Sequence, residues 1–452
     1  MTRPDLQLWS LRASGRVRHD DDARTDFEID YARVIHSGAF RRLQGKTQIL
    51  SLGDDDFYRS RLTHSMEVAQ IAEGIAQQLR SQALSEPIAG LIPPAPLIQA
   101  IGLAHDIGHP PFGHGGELAL NYCIRDAGGF EGNAQTLRLL SQLENFSDVN
   151  GADLTRRALL GLLKYPALRA TVANLDIVPR LVTAPTMIAV LDSTSCKPAK
   201  SCYDEDAAAL DWVLQPLSSS DRDAFVAVTP KPGKHGATQH KSFDCTIMDA
   251  ADDIAYGVHD LEDAIALGFI DREDFSAAVD APLCDHLETS LRHRPLVIGG
   301  RADRAELIDR LFGAPSARKA AIGRLVHYFI RSIRVTEEPV FAEPLLRWRA
   351  VLEPGAKTLL QALQDLIVLK VIDSPRVQHL EFKGQRMVMA VFEAIASDPM
   401  RLLPPALARS FAEAGAPMRL LCDHIAGFTD GTLLRTYERL FSPRMGSVFD
   451  RI

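Results

Sequence analysis

The segment from Leu103 to Glu117, LAHDIGHPPFGHGGE, concentrates side chains that bind metal ions and transfer protons. It holds three histidines, one aspartate and one glutamate, with two prolines and four glycines among them. Imidazole nitrogens and carboxylate oxygens are common ligands of divalent metal ions. The adjacent His105 and Asp106 supply one ligand of each kind, but two ligands do not complete a coordination shell. Other parts of the chain must supply the rest.

Two further segments offer the missing ligands. His64 stands in RSRLTHSMEVAQ, at the start of a predicted helix, and Asp252 stands in TIMDAADDIAYGVHDLEDA. In the second segment Asp252, Tyr256 and Asp260 are spaced i, i+4 and i+8, so they share one helix face. A core helix rarely carries carboxylates on its inner side unless a cation lies beside them. We therefore expect His64 and Asp252 to complete a divalent metal site with the His-Asp pair.

Helices are expected to position these ligands, because apolar residues recur mostly at helical spacing. The segment SMEVAQIAEGIAQQL places an apolar stripe on one side of a helix: Val68, Ile71, Ala72, Ile75 and Leu79. PLIQAIGLAHDIGH predicts a second helix, which carries His105 and is ended by a Pro-Pro pair just after His109. FGHGGE is then expected to turn and to carry His114 and Glu117 back toward the metal. Alternating apolar runs are scarce, so a mostly α protein is predicted.

Three segments look irregular: roughly the first thirty residues, residues 192–206 and residues 229–242, which are polar or rich in turn formers. The clustered His and Asp residues lie before residue 280, and the chain beyond is again helical. We therefore predict an N-terminal arm over residues 1–35, a catalytic core over 36–280 and a helical C-terminal region over 281–452.

Composition narrows the class of protein. The chain has 452 residues, 46% of them hydrophobic, and a net charge of -8, which argues against electrostatic coating of nucleic acid but not against a small anionic substrate. The six cysteines are scattered without a C-x-x-C pair, so neither a disulfide framework nor a cysteine zinc site is expected. No apolar run is long enough to span a membrane, and no secretory signal opens the chain. A soluble, cytoplasmic protein without membrane association is predicted.

The combination of His64, His105-Asp106 and Asp252 resembles the H…HD…D pattern of the HD-domain metal-dependent phosphohydrolases. Further segments occur together and in this order: FRRLQGKTQI (40–49), RSRLTHSMEVAQ, HDIGHPPFGHGGE, FEGNAQTLR (130–138), LLKYP (162–166), DAADDIAYGVHDLEDA and DHIAGFTDG (423–431). They resemble the deoxyguanosine triphosphate triphosphohydrolase branch of that family from about residue 22 to 431. Phe428 stands where that branch more often has Met. The resemblance implies an all-α HD-domain core with an additional helical C-terminal lobe.

The same resemblance implies an activity and its partners. It implies hydrolysis of dGTP, or of dNTPs more broadly, to the deoxynucleoside and inorganic triphosphate. A divalent metal ion is implied as cofactor; Mn or Mg is favoured, and Co, Fe and Ni also suit two histidines with two carboxylates. It further implies a homo-oligomer, with a hexamer as one option, and control by a nucleotide or by single-stranded DNA.

For the proton chemistry at the attacked α-phosphorus, the resemblance implies His114 and Glu117. A carboxylate beside an imidazole forms an acid–base pair, in which Glu117 can orient His114. His109, four residues after His105, is implied to reach the phosphates or the leaving oxygen.

Basic residues are needed for the polyphosphate, because guanidinium and ammonium groups stabilise phosphate charge. Arg61, three residues before the first predicted metal ligand, is the strongest candidate, followed by Lys164 and Tyr165 in LLKYP. Lys231 and Lys234, in the irregular segment 229–242, receive no role from the sequence.

Recognition of the deoxyribose is implied for Gln48, Tyr256 and Asp260. An amide and a carboxylate can bind a 3′-hydroxyl, and an aromatic ring beneath C2′ would leave no room for a 2′-hydroxyl. Glu131 and Asn133 in FEGNAQTLR are expected beside the active site without an assigned role.

Two other functions are compatible with these residues. A 5′-nucleotidase of the HD type, acting on deoxynucleoside monophosphates, stays open, as does a nucleotide- or single-stranded-DNA-sensing regulator with an HD core. Guanosine tetraphosphate hydrolases typically show HDxxED, whereas this chain has HDIGHP, and the GYP signature of cyclic-dinucleotide phosphodiesterases is missing. The basic segments RSIR (331–334) and RWRA (347–350) could bind phosphates, although solvated helix faces are the better interpretation.

Overall fold

The computed structural model describes residues 6–49, 59–82, 84–183, 187–293 and 303–443. Within these ranges the chain is mainly helical, which confirms the all-α fold class. The helices up to the long central one are α1 (Asp26–His36), α2 (Gly38–Arg42), α3 (Arg61–Arg80), α4 (Glu86–Ala89), α5 (Ala95–Ala104), α6 (Gly113–Cys123), α7 (Gly132–Arg138), α8 (Arg156–Leu162), α9 (Arg169–Val172), α10 (Ala207–Leu214), α11 (Ser219–Val226) and α12 (Phe243–Ala266). The helices after it are α13 (Arg272–Ala278), α14 (Ala281–His293), α15 (Arg304–Leu311), α16 (Pro315–Arg331), α17 (Pro344–Arg347), α18 (Pro354–Ile367), α19 (Pro375–Ser397), α20 (Pro399–Leu402), α21 (Pro405–Glu413), α22 (Pro417–Ala426) and α23 (Asp430–Phe441).

The short strands of the described ranges pair with their neighbours along the chain, in antiparallel two-stranded sheets: β1 (Leu181–Thr183) with β2 (Ala189–Leu191), β3 (Val228–Thr229) with β4 (Ala237–Thr238), and β5 (Ile333–Glu337) with β6 (Trp348–Leu352). In the last pair Ile333 lies opposite Leu352. Two of these pairs fall in or beside the segments predicted to be irregular, so those segments are hairpins and turns.

Helices α3, α5 and α12 form the centre of the larger buried core. The apolar stripe of α3 is buried as predicted, and its first turn is capped by Ser60, whose side chain accepts from the backbone N–H of Thr63. A proline lies in the first turn of α5, and Ser242 caps α12. The inner face of α12 is apolar: Ile247, Ile254, Ala255, Val258 and Leu261.

The crossing of α3 and α5 is unusually close. A Cβ built on Gly102 of α5 would lie 2.6 Å from the Cα of Ala69 on α3. Only glycine allows this approach of two backbones. The crossing sets the distance between the residues at the start of α3 and those just after α5.

A second buried cluster lies between α6, α19, α22 and α23. A Cβ on Gly384 of α19 would lie 2.5 Å from the ring of Phe112, just before α6, and one on Gly115 would lie 2.8 Å from Glu381. The C-terminal helices therefore pack directly on α6. The larger cluster contains residues from Trp9 to Val377 and so includes residues on both sides of the predicted boundaries at 35 and 280. The domain division itself stays a prediction.

The N-terminal arm contacts the core through Trp9 and Arg12, whereas residues 13–21 are exposed, and its first five residues lie outside the described ranges. Trp9 is buried, and the guanidinium of Arg12 donates to Asp30 Oδ1 at 2.6 Å and to the carbonyl of Asp153 at 2.6 Å. A buried charge of this kind needs such a partner to offset its loss of hydration.

Two local predictions around the His-rich segment were wrong. The helix does not continue through His109: α5 ends at Ala104, and residues 105–108 form turns. The chain leaves the helix there and runs close to α7, where a Cβ on Gly108 would lie 2.1 Å from the carbonyl oxygen of Gly132. FGHGGE does not form a turn either; α6 begins at Gly113, after Phe112 in the left-handed region (φ 60°).

Among the described residues, none of the helices combines the length and the apolar composition that crossing a bilayer requires.

We predict that Gly102→Ala lowers the free energy of unfolding by about 1–3 kcal/mol, because the new methyl group overlaps the α3 backbone. Urea denaturation followed by circular dichroism measures the change. Gly323→Ala in α16 is the matched control: its Cβ would meet nothing within 4 Å, so this change should raise stability by up to about 1 kcal/mol. Equal effects of the two substitutions would contradict the role of the crossing.

Candidate active site

Three of the four predicted metal ligands form one compact cluster. His64 Nε2 lies 3.1 Å and His105 Nε2 lies 3.5 Å from Asp252 Oδ1. The ligand atoms of the three residues all lie within 4.8 Å of one another. The two imidazoles come from the start of α3 and the turn after α5, and the carboxylate comes from the middle of α12. The elements that the sequence predicted to meet therefore do meet.

The donor atoms of this cluster fit a divalent ion. His105 Nδ1 lies 2.7 Å from the carbonyl oxygen of Gly102, so this nitrogen carries the proton and Nε2 keeps a free lone pair. Nε2 is buried and has no hydrogen-bond partner among the described residues. A buried acceptor without a donor is costly unless a cation takes that place.

Asp106 lies beside the cluster and also contacts cationic groups. Its Oδ1 is 3.4 Å from His105 Nε2 and 3.1 Å from His109 Nδ1, and its Oδ2 accepts from Arg61 Nη1 at 2.6 Å. Burial alone would raise the pKa of Asp106, but its contacts with His109 and His105 and the charge of Arg61 hold this pKa well below its usual range. The carboxylate is therefore ionised, as a metal ligand must be.

Lys164 lies against Asp252, the carboxylate of the cluster. Its ammonium is 2.9 Å from Asp252 Oδ2 and 3.5 Å from Asp249 Oδ1. Burial would lower the pKa of Lys164, but Asp252 and Asp249 raise it well above its usual value. Lys164 thus stays charged, and its shortest contact is with Asp252, the carboxylate of the cluster.

His114 and Glu117 form a pair on the first turn of α6. His114 Nδ1 lies 3.1 Å from Glu117 Oε2; the His114 side chain is 74% exposed, whereas that of Glu117 is 4% exposed. Burial opposes ionisation of Glu117, yet Lys200 and His114 hold its pKa well below its usual range. An ionised, buried carboxylate therefore orients an imidazole that is open to solvent. The i, i+3 spacing on a helix, which replaces the predicted turn, produces this contact.

His109 lies between this pair and the cluster of predicted metal ligands. Its ring centroid lies 5.5 Å from that of His114, and its Nδ1 faces Asp106. Burial, with the nearby charge of Arg61, lowers the pKa of His109 to about 4. The side chain is consequently neutral at neutral pH and can donate or accept a hydrogen bond.

Arg61 is buried beneath the start of α6. A Cβ on Gly113 would lie 2.6 Å from Arg61 Nη2, and Gly113 has a φ of +54°. Both the space and the backbone conformation therefore require glycine. Arg61 Nε has no hydrogen-bond partner among the described residues, which leaves one donor of the guanidinium for a ligand.

Two of the three residues predicted to bind the sugar, Gln48 and Asp260, line small spaces. Gln48 and Asp260 border a cavity of about 20 Å³, and Gln48 also borders a pocket of about 100 Å³ with His114 and Glu381. Gln48 Oε1 and Asp260 Oδ2 are buried acceptors without a partner in the described structure. Burial raises the pKa of Asp260 to about 7. Tyr256 is half-buried against the core, and burial raises its pKa to about 12.

The residues of FEGNAQTLR support the His114–Glu117 pair. Glu131 caps α7, accepting from the N–H of Ala134 at 2.7 Å and from Asn133 Nδ2 at 2.9 Å. Lys200 joins this residue to the pair: its ammonium lies 2.8 Å from Glu131 Oε1 and 3.1 Å from Glu117 Oε1. No sequence pattern pointed to Lys200, since its two partners lie 69 and 83 residues away. Tyr165 lies in the wall of a larger neighbouring cavity, of about 1030 Å³.

Two further residues hold the His-rich segment to the C-terminal helices. The ammonium of Lys46 donates to the carbonyl of His109 at 2.6 Å and to that of Ala426 at 2.9 Å. Asp430 accepts from the backbone N–H groups of Phe112 and Thr47 at 2.8 and 2.9 Å. Both residues lie in segments that the resemblance singled out, FRRLQGKTQI and DHIAGFTDG, but their partners are remote in sequence.

The segment DHIAGFTDG also contacts α7. Asp423 accepts from Gln135 Nε2 at 3.0 Å and from Arg138 Nε at 2.8 Å. Arg138 in turn donates to Asp206 at 2.8 Å. These buried ion pairs place α22 beside the helix that Glu131 begins.

Comparisons with known proteins agree with this architecture. The HD domain family matches residues 61–160, and the phosphohydrolase-associated domain family matches residues 350–439. A deoxyguanosinetriphosphate triphosphohydrolase-like protein of Shewanella sp. (strain MR-4) is 46% identical over 450 residues, covering 97% of each chain. Proteins of the same description from Shewanella sp. (strain ANA-3) and Shewanella halifaxensis (strain HAW-EB4) are 45% and 42% identical, covering 97% and 98% of each chain.

We predict a pH-dependent contribution of Lys46 to stability. Burial, with the charge of Arg61, lowers its pKa from 10.5 to about 7. Between these values the unfolded chain holds a proton that the folded chain does not, so stability rises with pH, by at most about 1.4 kcal/mol per pH unit. Urea denaturation from pH 7 to 9 should show this rise in the wild type and a smaller one in Lys46→Met. Parallel curves for the two proteins would contradict the prediction.

Proposed function

The chain belongs to the deoxyguanosinetriphosphate triphosphohydrolase-like branch of the HD-domain phosphohydrolases, and on this premise we propose that it hydrolyses dGTP, or dNTPs more broadly, to the deoxynucleoside and inorganic triphosphate. The observation that carries the proposal is the unbroken succession of contacts from the His64–His105–Asp252 cluster to the His114–Glu117 pair. Such a succession suits attack on phosphorus, because it provides ligands for a cation next to a group that transfers protons.

The ligands proposed for the metal are His64, His105, Asp106 and Asp252. A bound divalent ion, Mn or Mg in the first place with Co, Fe and Ni as alternatives, supplies Lewis acidity and lowers the pKa of a bound water. The state of these side chains supports their role as ligands. The carboxylates of Asp106 and Asp252 are ionised, and the Nε2 of His105 keeps a free lone pair.

In the proposed reaction His114 handles the proton at the attacked α-phosphorus. The ionised Glu117 binds Nδ1, which leaves Nε2 of the exposed ring to face the substrate. Lys200 and the N–H of Gly132 keep Glu117 in place through its other oxygen. His109, neutral and adjacent, is proposed to contact the phosphates or the leaving oxygen.

The charge of the triphosphate is proposed to be neutralised by Arg61 and Lys164, with Tyr165 nearby. Within the described structure Arg61 has an unpaired Nε, which favours this role. Lys164 already contacts two carboxylates. Its first effect is therefore to reduce the negative charge of the proposed metal site, and its effect on the triphosphate comes second.

Recognition of the deoxyribose is proposed for Gln48, Tyr256 and Asp260. Gln48 and Asp260 each hold a buried acceptor that has no partner among the described residues, and such acceptors are suited to hydroxyl donors of a sugar. Assembly into a homo-oligomer, with a hexamer as one option, and regulation by nucleotides or single-stranded DNA are further parts of the proposal.

The first test is product analysis. Purified protein with dGTP and Mn²⁺ or Mg²⁺ should release deoxyguanosine and inorganic triphosphate, both resolved by ion-exchange chromatography. A panel of four dNTPs, four NTPs and dGMP then defines the base and sugar preference. Release of dGMP with pyrophosphate, release of dGDP with phosphate, or preferential hydrolysis of dGMP would refute the proposal; the last outcome would favour a 5′-nucleotidase.

A second test separates metal ligation from proton transfer. His114→Gln should keep the bound metal and lose about 10²–10⁴-fold in kcat, the usual contribution of a general acid–base group. Asp106→Asn should lose both metal and turnover. Metal content by atomic emission and initial rates are measured on the same samples, with the exposed His19→Gln as control. A His114→Gln protein that retains full turnover would remove His114 from the mechanism.

A further inference from the structure

Helix α6, which carries His114 and Glu117, begins without an ordinary cap. Its N-cap residue is Phe112, which makes no side-chain cap hydrogen bond and has a left-handed backbone, with φ 60° and ψ 25°. N-cap residues are usually Ser, Thr, Asp or Asn in an extended conformation. The left-handed conformation is unfavourable for a residue that has a Cβ. The start of α6 therefore needs support from another part of the chain.

This support comes from the first residue of α23. Asp430 is buried, and its Oδ1 accepts from the backbone N–H of Phe112 at 2.8 Å. Its Oδ2 accepts from the backbone N–H of Thr47 at 2.9 Å and from the hydroxyl of the same residue. A carboxylate accepts at both oxygens, whereas an amide accepts at only one of its two terminal atoms. Both connections therefore require an aspartate at position 430.

A glycine of α19 fixes the other side of Phe112. A Cβ built on Gly384 would lie 2.5 Å from the Cγ of the Phe112 ring, so a larger residue would push the ring away. The ring is thus held by α19, and the backbone N–H of the same residue is held by α23. Two C-terminal helices together stabilise the unusual conformation from which α6 begins.

His114 depends on this support more than Glu117 does. Glu117 is also held from outside α6, because its Oε1 accepts from the N–H of Gly132 at 2.9 Å and lies 3.1 Å from the ammonium of Lys200. His114 follows Phe112 by two residues, its side chain is 74% exposed, and its Nδ1 lies 3.1 Å from Glu117 Oε2. A shift at the start of α6 would therefore move His114 while Glu117 stays in place, and the pair would separate.

We propose that Asp430 is a positioning residue for His114. By holding the backbone of Phe112 in the left-handed conformation, its carboxylate sets the direction in which α6 begins and hence the contact of His114 with Glu117. Asp430 acts through the backbone and does not touch the reacting atoms. This role rests on the proposed function only for the reaction that His114 serves, since the orientation of the ring can be measured without turnover.

Asp430→Asn tests the role in steady-state kinetics, because it preserves the shape of the side chain and removes one acceptor. With dGTP and Mn²⁺, kcat should fall about 10–100-fold, the loss expected when a reacting group is misplaced by about 1 Å. KM and the content of bound metal should stay within about twofold of the wild type, since the loss concerns the transition state.

Asp221→Asn is the matched control. Asp221 is also buried and also accepts from two backbone N–H groups, those of Ala342 and Glu343, at 2.8 Å each. This substitution should lower the midpoint of urea denaturation as Asp430→Asn does, and it should leave kcat unchanged. An equal fall of kcat in both variants would overturn the proposal.

A double variant separates positioning from general destabilisation. In the His114→Gln background, Asp430→Asn should lower kcat by less than about a further twofold, because residues that act as a unit have non-additive effects. Unchanged kcat in Asp430→Asn alone, or multiplication of the two single losses, would overturn the proposal. If Asp430→Asn does not fold, Thr47→Val removes one of the three hydrogen bonds and should lower kcat about fivefold; unchanged kcat in that variant would also overturn it.

Nuclear magnetic resonance tests the orientation of His114 without any substrate. In protein labelled at the Cε1 of histidine, the signal of His114 is the one that disappears in His114→Gln. It should shift in Asp430→Asn and keep its position in Asp221→Asn. An unshifted signal in Asp430→Asn would refute the positioning role whatever the activity. An inactive wild type in which the signal still shifts would refute the proposed function and leave the positioning role standing.

Discussion

The contact between Gly102 of α5 and Ala69 of α3 determines where the side chains of the predicted metal ligands can lie. Gly102 stands three residues before His105, and its carbonyl accepts a hydrogen bond from the Nδ1 of that histidine. The same residue therefore sets both the distance between two helices and the orientation of one imidazole. Because α12 packs on α3 as well, Asp252 is brought to the two histidines by the same arrangement. A side chain at position 102 would disturb these relations together.

Charge compensation is the second constraint. The buried and half-buried charged groups of the site form pairs of opposite sign: Lys164 with Asp252, Arg61 with Asp106, and Lys200 with Glu117. A buried charge without a partner is strongly unfavourable, so each cation here stabilises the ionised form of a carboxylate that the proposed chemistry requires. The basic residues of the site accordingly act on these carboxylates before any substrate arrives.

The C-terminal helices take part in the site through the backbone of the His-rich segment. Lys46 and Asp430 bind carbonyl and N–H groups around His109 and Phe112, and the second buried cluster packs α19 on α6. The region matched by the phosphohydrolase-associated domain therefore supports the helix that carries His114 and Glu117. This arrangement explains how the late segment DHIAGFTDG contributes to the site. Its residues bind the His-rich segment and α7 rather than a predicted metal ligand.

Local patterns in the sequence were enough to predict the helical class, because helical periodicity is a property of neighbouring residues, and the family followed from the resemblance of several short segments. His64, His105 and Asp252, which the sequence predicted as metal ligands, do lie together. The end of α5 at Ala104, the start of α6 at Gly113 and the contact of Lys200 with Glu117 became known from the three-dimensional arrangement. The close approach of Gly108 to Gly132 and the ion pairs of Lys200 join residues far apart in the chain. Such contacts depend on how helices pack, and no local pattern in the sequence encodes them.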